Sequence, residues 1–141
     1  MPFLDPCAYF PGVAARELLE VRTDPAALAE GGRWAVAIGF EGQTVLARFR
    51  HWDESSAPDR RWHGVRGTWR TSLSREQYQL GVQRVQEHIG RGWVYQVNLC
   101  RILGAQCVDT DLLGLYNALG TMEGAFAGYL HLPDHDVEIA S

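Results

Sequence analysis

Between residues 33 and 50, apolar and polar positions alternate along two short runs, with Glu41-Gly42 between them. A period of two predicts strands near 33–40 and 43–50, joined by a hairpin turn in which glycine supplies the positive φ. Residues 53–67, DESSAPDRRWHGVRG, are polar and rich in Pro, Gly and Ser, which predicts a loop. Beyond them the period lengthens. Ser74 with Gln77 three residues on forms a capping box, and Tyr78, Val82, Val85 and Ile89 fall on one helical face. Gly90 and Gly92 mark the stop. The stretch RGWVYQVNLCRIL, residues 91–103, returns to near-alternation and predicts a strand. Val94, Gln96, Asn98 and Cys100 lie on one side, with Tyr95, Val97, Leu99 and Ile102 mostly on the other. TDLLGLYNALG predicts a short helix capped at Thr110 or Asp111, and GAFAGYLHLPDHDVEIAS a strand, a Pro-Asp turn and a strand. This order of strands, helix, strand, helix and hairpin predicts an α+β or mixed α/β layer structure. Gln96 and Asn98 stand out in it. A carboxamide on a strand either pairs with a neighbouring backbone or faces a ligand, since burying it unpaired costs about 1–3 kcal/mol.

Composition narrows the classes. The 141 residues, 46% hydrophobic and 21% charged, suit one globular domain. A net charge of −4 argues against a nucleic-acid partner. All 13 basic residues are arginine, so no lysine nucleophile or Schiff base can arise from this chain. The N-terminus lacks the pattern of a signal peptide, and no apolar run approaches the roughly 20 residues of a membrane-spanning helix. Cys7, Cys100 and Cys107 are odd in number and lack metal-type spacing, which predicts reduced thiols in a cytoplasmic protein. His131, Asp134, His135 and Asp136 offer metal-ligand chemistry, but Pro133-Asp134 is ordinary turn chemistry and is the preferred reading. His88, late in a helix, complements the dipole. His51 and His63 have no assignable partner. Trp52, Trp62 and Trp69 interleave with Arg60, Arg61, Arg66 and Arg70, which predicts cation–π packing. No phosphate loop, nucleophile elbow or Cys-x-x-Cys is present. The informative feature that remains is the pair Gln96 and Asn98.

The stretch SREQYQLGVQRVQEHIGRGWVYQVNLCRIL resembles chorismate-utilising enzymes, in which a helix runs into a Gly-Asp/Glu-x-Tyr/Phe-Gln-x-Asn-Leu strand. That family includes the large subunits (component I) of aminodeoxychorismate (para-aminobenzoate) synthase and anthranilate synthase. WAVAIGFEGQTVLARF is similar to the family's N-terminal sheet, and GAFAGYLHLPDHDVEIAS to the segment leading to its Ser-Pro-Glu motif. The resemblance implies the N-terminal part of the anthranilate synthase component I-like sheet-and-helix fold, with residues 1–141 as a single incomplete domain. It implies that Asn98, and secondarily Gln96, border the chorismate site, and Asn98 points to the aminobenzoate branch. An effector pocket that holds tryptophan in some members would fall at Ala125, Phe126 and Ala127, where only the aromatic of the family's Asn-Pro-x-Pro-Tyr/Phe segment survives. Trp93 replaces the acidic residue usual after Gly92. The catalytic acid/base residues, the carboxylates that bind Mg2+ and the nucleophilic lysine would all follow Ser141, so the resemblance implies a truncated chain with no catalytic residue of its own. The implied partners are chorismate and a glutamine amidotransferase that supplies ammonia.

Overall fold

A computed structural model of the chain describes residues 4–120 and 126–141. Ten regular elements follow in order: β1 (Cys7–Phe10), β2 (Val13–Arg22), β3 (Trp34–Ile38), β4 (Thr44–Glu54), β5 (Val65–Thr71), α1 (Arg75–Gly90), β6 (Leu103–Cys107), α2 (Leu113–Gly120), β7 (Tyr129–Leu132) and β8 (Val137–Ala140). Short 3-10 turns cover Pro25–Glu30 and Pro133–His135. Strands dominate over helices, within the α+β class. The chain divides into two units: residues 1–64 with 109–141, and residues 65–108.

The first unit is a six-stranded antiparallel sheet in the order β3-β4-β2-β1-β7-β8. Its predicted hairpin forms at β3–β4, where Gly39 N–H donates to Gln43 O at 2.7 Å and Gly42 takes φ 89°. Strands β1 and β2 are not legible in the pattern. A bulge between Leu18 and Glu20 resets the phase of β2 halfway along, and Glu17 sits at φ 60° just before it. Side chains then sort by alternation. Cys7, Tyr9, Ala14 and Tyr129 face Leu113 and Tyr116 of α2, while Ala8, Ala15, Ala35, Ala47, Phe49, Leu130 and Leu132 form the core of the opposite face. β7 is buried on both faces, as an interior strand should be. On the second face, Ala35 and Ala37 of one edge strand and Ile139 of the other line a common apolar groove of about 420 Å3, so the sheet coils upon itself.

The polar excursion is a loop, as predicted, though shorter: β4 continues to Glu54 and β5 starts at Val65. It is tied to α2. Asn117 Nδ2 donates to the carbonyls of Pro58 and Arg60 (2.9 and 3.3 Å), and a Cβ on Gly114 would lie 2.6 Å from Arg61 O. Only glycine permits that approach.

The second unit holds α1 and the two-stranded β5–β6 ladder, which is bulged between Arg66 and Arg70. The capping box forms at Ser74 with Gln77. α1 ends in a Schellman motif: Gly92 N–H donates to Ile89 O (2.9 Å), Trp93 N–H to His88 O (3.0 Å), and Gly92 takes φ 72°. Trp93 then packs its ring against His88, centroids 5.1 Å apart. The strand predicted over 91–103 does not form. Residues 91–102 are irregular, and pairing begins only at Leu103. A strand needs a neighbour for its backbone groups, and β5 pairs no further along than Leu103. Ser72 and Ile102 close that end with a 2.9 Å backbone bond.

Candidate functional site

The Gln-Val-Asn unit sits on this irregular segment. Schellman capping turns the chain out of α1, Leu99 returns to the helix over Gly81, and the intervening residues project between these two fixed points. A Cβ at residue 81 would meet Leu99 Cδ2 at 2.7 Å, a side-chain tip that could swing aside, so glycine there eases the approach of Leu99. Gln96 and Asn98 are both exposed, and Tyr95 between them and the helix is 95% exposed. Gln96 Nε2 donates to Asn98 Oδ1 at 3.4 Å, a long and weak bond. The carboxamides therefore neither join a ladder nor lie buried unpaired. Donor N–H groups of Asn98 and the Oε1 of Gln96 remain open to solvent among the described residues.

The remaining predicted positions disperse. Ala125 lies outside the described residues, Phe126 is 95% exposed and Ala127 is half-buried beside the α2-facing cluster. His131 is buried in β7, its ring stacked 6.2 Å from that of Tyr129, whereas Asp134 and His135 lie in the 3-10 turn and Asp136 closes it in the left-handed region. That is the turn reading of HLPDHD. No three His, Cys, Asp or Glu side chains among the described residues converge as a metal site. The predicted cation–π packing in the excursion is replaced by other pairs, Arg48 over Trp34 at 5.6 Å and Arg91 over Trp93 at 5.1 Å. Trp52 instead stacks on Phe10 and meets Phe49 edge-on.

Sequence reasoning missed the polar network around the start of α2, because its members lie far apart along the chain. His63 takes a partner in Asp109: the His63 N–H donates to Oδ2 at 2.9 Å, and Nδ1 lies 2.6 Å from Oδ1. The backbone N–H is the leading cause that holds the Asp109 carboxyl below the usual carboxylate range. Arg60 pairs with Asp111 at 2.8 Å, and Asp111 Oδ1 accepts from Leu113 N–H at 3.2 Å, so Asp111 is the cap that the sequence offered as one of two choices. Glu138 accepts from Leu112 N–H and from Tyr129 O–H, both at 2.7 Å. Burial, followed by Glu138, pushes the Tyr129 hydroxyl well above the ordinary tyrosine range. Burial also pushes the Cys7 thiol up to about 11. Two carboxylates thus accept from N–H groups that the first turn of α2 leaves without helical partners. His51 likewise gains Glu17 at 3.1 Å, beside the ion pair of Glu17 with Arg50. These contacts hold structure and offer no nucleophile.

No helix among the described residues is long and apolar enough to cross a membrane. The sequence pattern of the chorismate binding enzyme family matches residues 27–141, and the chain belongs to that family. Comparison with curated proteins and with solved structures gave no match.

Proposed function

We propose that this chain serves as the N-terminal portion of an aminodeoxychorismate synthase component I, which replaces the 4-hydroxyl of chorismate with an amino group. The observation that carries the reading is the Tyr95-Gln96-Val97-Asn98-Leu99 unit inside the family-matched span, its two carboxamides free of any ladder. Chorismate carries hydroxyl, enol-ether and carboxylate groups, and a carboxamide both donates and accepts, so Asn98, with Gln96 beside it, is suited to orient such a molecule. Phe126 and Ala127, with Ala125, are the positions at which an effector would bear on the same protein. Ammonia would come from a glutamine amidotransferase partner in the cytoplasm.

The resemblance implies Mg2+ on the substrate carboxylate. The described residues do not fit that ion, since no three His, Cys, Asp or Glu side chains converge among them. Nor does the chain contain a lysine. Its own contribution is therefore to bind and orient, with the chemistry carried by further residues of the complete enzyme.

The reading is tested on the complete gene product, supplied with chorismate and ammonia. Formation of 4-amino-4-deoxychorismate supports it. Formation of anthranilate without any added lyase assigns the chain to anthranilate synthase component I instead. The 141-residue chain alone should turn over no chorismate, and measurable turnover would overturn the division of labour proposed here.

A further inference from the structure

His131 stands in the middle of a row that crosses the six-stranded sheet. Its register partners are Cys7 of β1 on one side and Glu138 of β8 on the other, and Arg16 of β2 lies opposite Cys7. By alternation His131 shares the face of Tyr129, on whose ring it stacks, and its side chain is buried there. The ring meets an acceptor at each nitrogen. Nε2 lies 3.2 Å from Leu4 O, in hydrogen-bond geometry, and Nδ1 lies 3.4 Å from Glu138 Oε1 without forming a bond. A carbonyl and a carboxylate can only accept, whereas a neutral imidazole carries one N–H between the two of them. A neutral ring therefore leaves one acceptor facing a bare nitrogen. Among the described residues, Nδ1 is the buried side-chain nitrogen left without a hydrogen-bond partner.

The other titratable groups nearby do not change that count. Burial pushes the Cys7 thiol up to about 11 and Tyr129 well above the ordinary tyrosine range, so both are neutral. Asp111 is paired with Arg60 at 2.8 Å, and Arg16 lies one strand further off. Asp5, beside Leu4, and the turn residues Asp134, His135 and Asp136 are exposed. Glu138 is the charge that faces the ring.

We propose that His131 is a proton-operated clip: a second ring proton lets Nε2 donate to Leu4 O while Nδ1 donates to Glu138 Oε1, fastening residue 4 and β8 to β7. Burial opposes the added charge. The bare ring is opposed twice, by a missing hydrogen bond and by a lone pair facing a carboxylate, and the ion pair removes both. Glu138 keeps part of its side chain in solvent, which lightens the desolvation. Its Oε1 also accepts from Leu112 N–H at 2.7 Å, so the clip reaches the start of α2. The folded chain offers the second proton a partner that the unfolded chain lacks. Stability conferred by the clip is thus present at low pH, while Glu138 stays ionised, and is lost as pH rises.

The test uses the full chain with 15N-labelled histidine, its ring signals assigned through the backbone of β7. Between about pH 9 and pH 5.5 the 15N shifts of His131 should pass from those of a ring with one N–H to those of a ring with two. Over the same interval the folding equilibrium of wild type should gain at least about threefold on that of His131→Gln, read from urea melts. Glu138→Gln keeps an acceptor for Leu112 and Tyr129 but removes the charge, and should abolish most of that gain. A His131 ring that keeps a single N–H down to pH 5.5 overturns the proposal. So does a gap between wild type and His131→Gln that stays flat or narrows as pH falls, or a full gain that persists in Glu138→Gln. The ring signals come from the wild-type chain, so they decide even where a variant folds poorly.

Discussion

Asn98 carries the proposed substrate contact and almost no structural duty. Its described side-chain partner is Gln96 at 3.4 Å, in full solvent, so Asn98→Ala should cost less than about 0.5 kcal/mol of stability. In the complete enzyme the same change should lower kcat/KM about tenfold or more, the scale of one lost charge-assisted hydrogen bond. Steady-state kinetics and a thermal melt of one preparation separate the two effects, and wild-type kinetics would leave Asn98 a mere solvated loop residue. Asp109 is the converse case, structural and titratable. Its pKa is depressed in the folded chain, chiefly by the His63 N–H, so its contribution is fully present above the unfolded carboxylate pKa of about 3.9. The contribution fades as pH falls through the lower folded value. Urea melts of wild type and Asp109→Asn should therefore differ near neutrality and begin to draw together only below about pH 4, meeting below the depressed folded value. A gap of constant size across that range would show that the carboxylate charge plays no part.

At the scale of elements, local rules explain α1 well and its neighbour poorly. Ser74→Ala removes the side-chain acceptor of the capping box and should cost about 1 kcal/mol. Gly92→Ala forces a Cβ into the left-handed C′ position and should cost about the same. Both should appear as a lower urea midpoint with loss of helical ellipticity, and a change in neither would mean that α1 is held by packing alone. The capping box, the Gly42 turn, the Pro-Asp turn and the polar excursion were legible because each is written within a few consecutive residues. The strand over 91–103 was not there to be read. Alternation records which way side chains would point, while a ladder requires a partner backbone, and Thr71 is where β5 stops supplying one. β2 failed in the opposite sense, since its bulge at Leu18–Glu20 breaks an alternation that the paired strand tolerates. Of the candidate site, the identity of Gln96 and Asn98 was legible. The pairings of His63 with Asp109, Arg60 with Asp111 and Leu112 with Glu138 were not, because they join residues 26 to 51 positions apart in the chain.

At the scale of the whole molecule, the loop of residues 55–64, α2 and the inner face of the six-stranded sheet form one stack that a single thiol reports on. Cys7 lies in the sheet face that Leu113 and Tyr116 cover, and burial raises its pKa to about 11. It is therefore neutral and shielded at ordinary pH, while Cys100 is exposed and Cys107 half-buried. Alkylation followed by mass spectrometry should label Cys100 first, Cys107 next, and Cys7 only as the sheet face opens. Gly114 tests whether the loop shares in that closure. A Cβ there would press on the backbone of Arg61 and Trp62, at 2.6 to 2.9 Å, and backbone cannot swing aside as a side-chain tip can. Gly114→Ala should thus lift the loop from α2 at a cost of about 1–3 kcal/mol. When opening equilibrates faster than alkylation, that cost multiplies the open population and the Cys7 rate by about fivefold to a hundredfold. Cys100, on the other unit, should label at the wild-type rate in the same sample. Acceleration confined to Cys7 would establish the loop as a clamp on the sheet. An unchanged Cys7 rate would mean that Asn117, Arg60 and His63 hold the loop to a helix whose own packing already suffices.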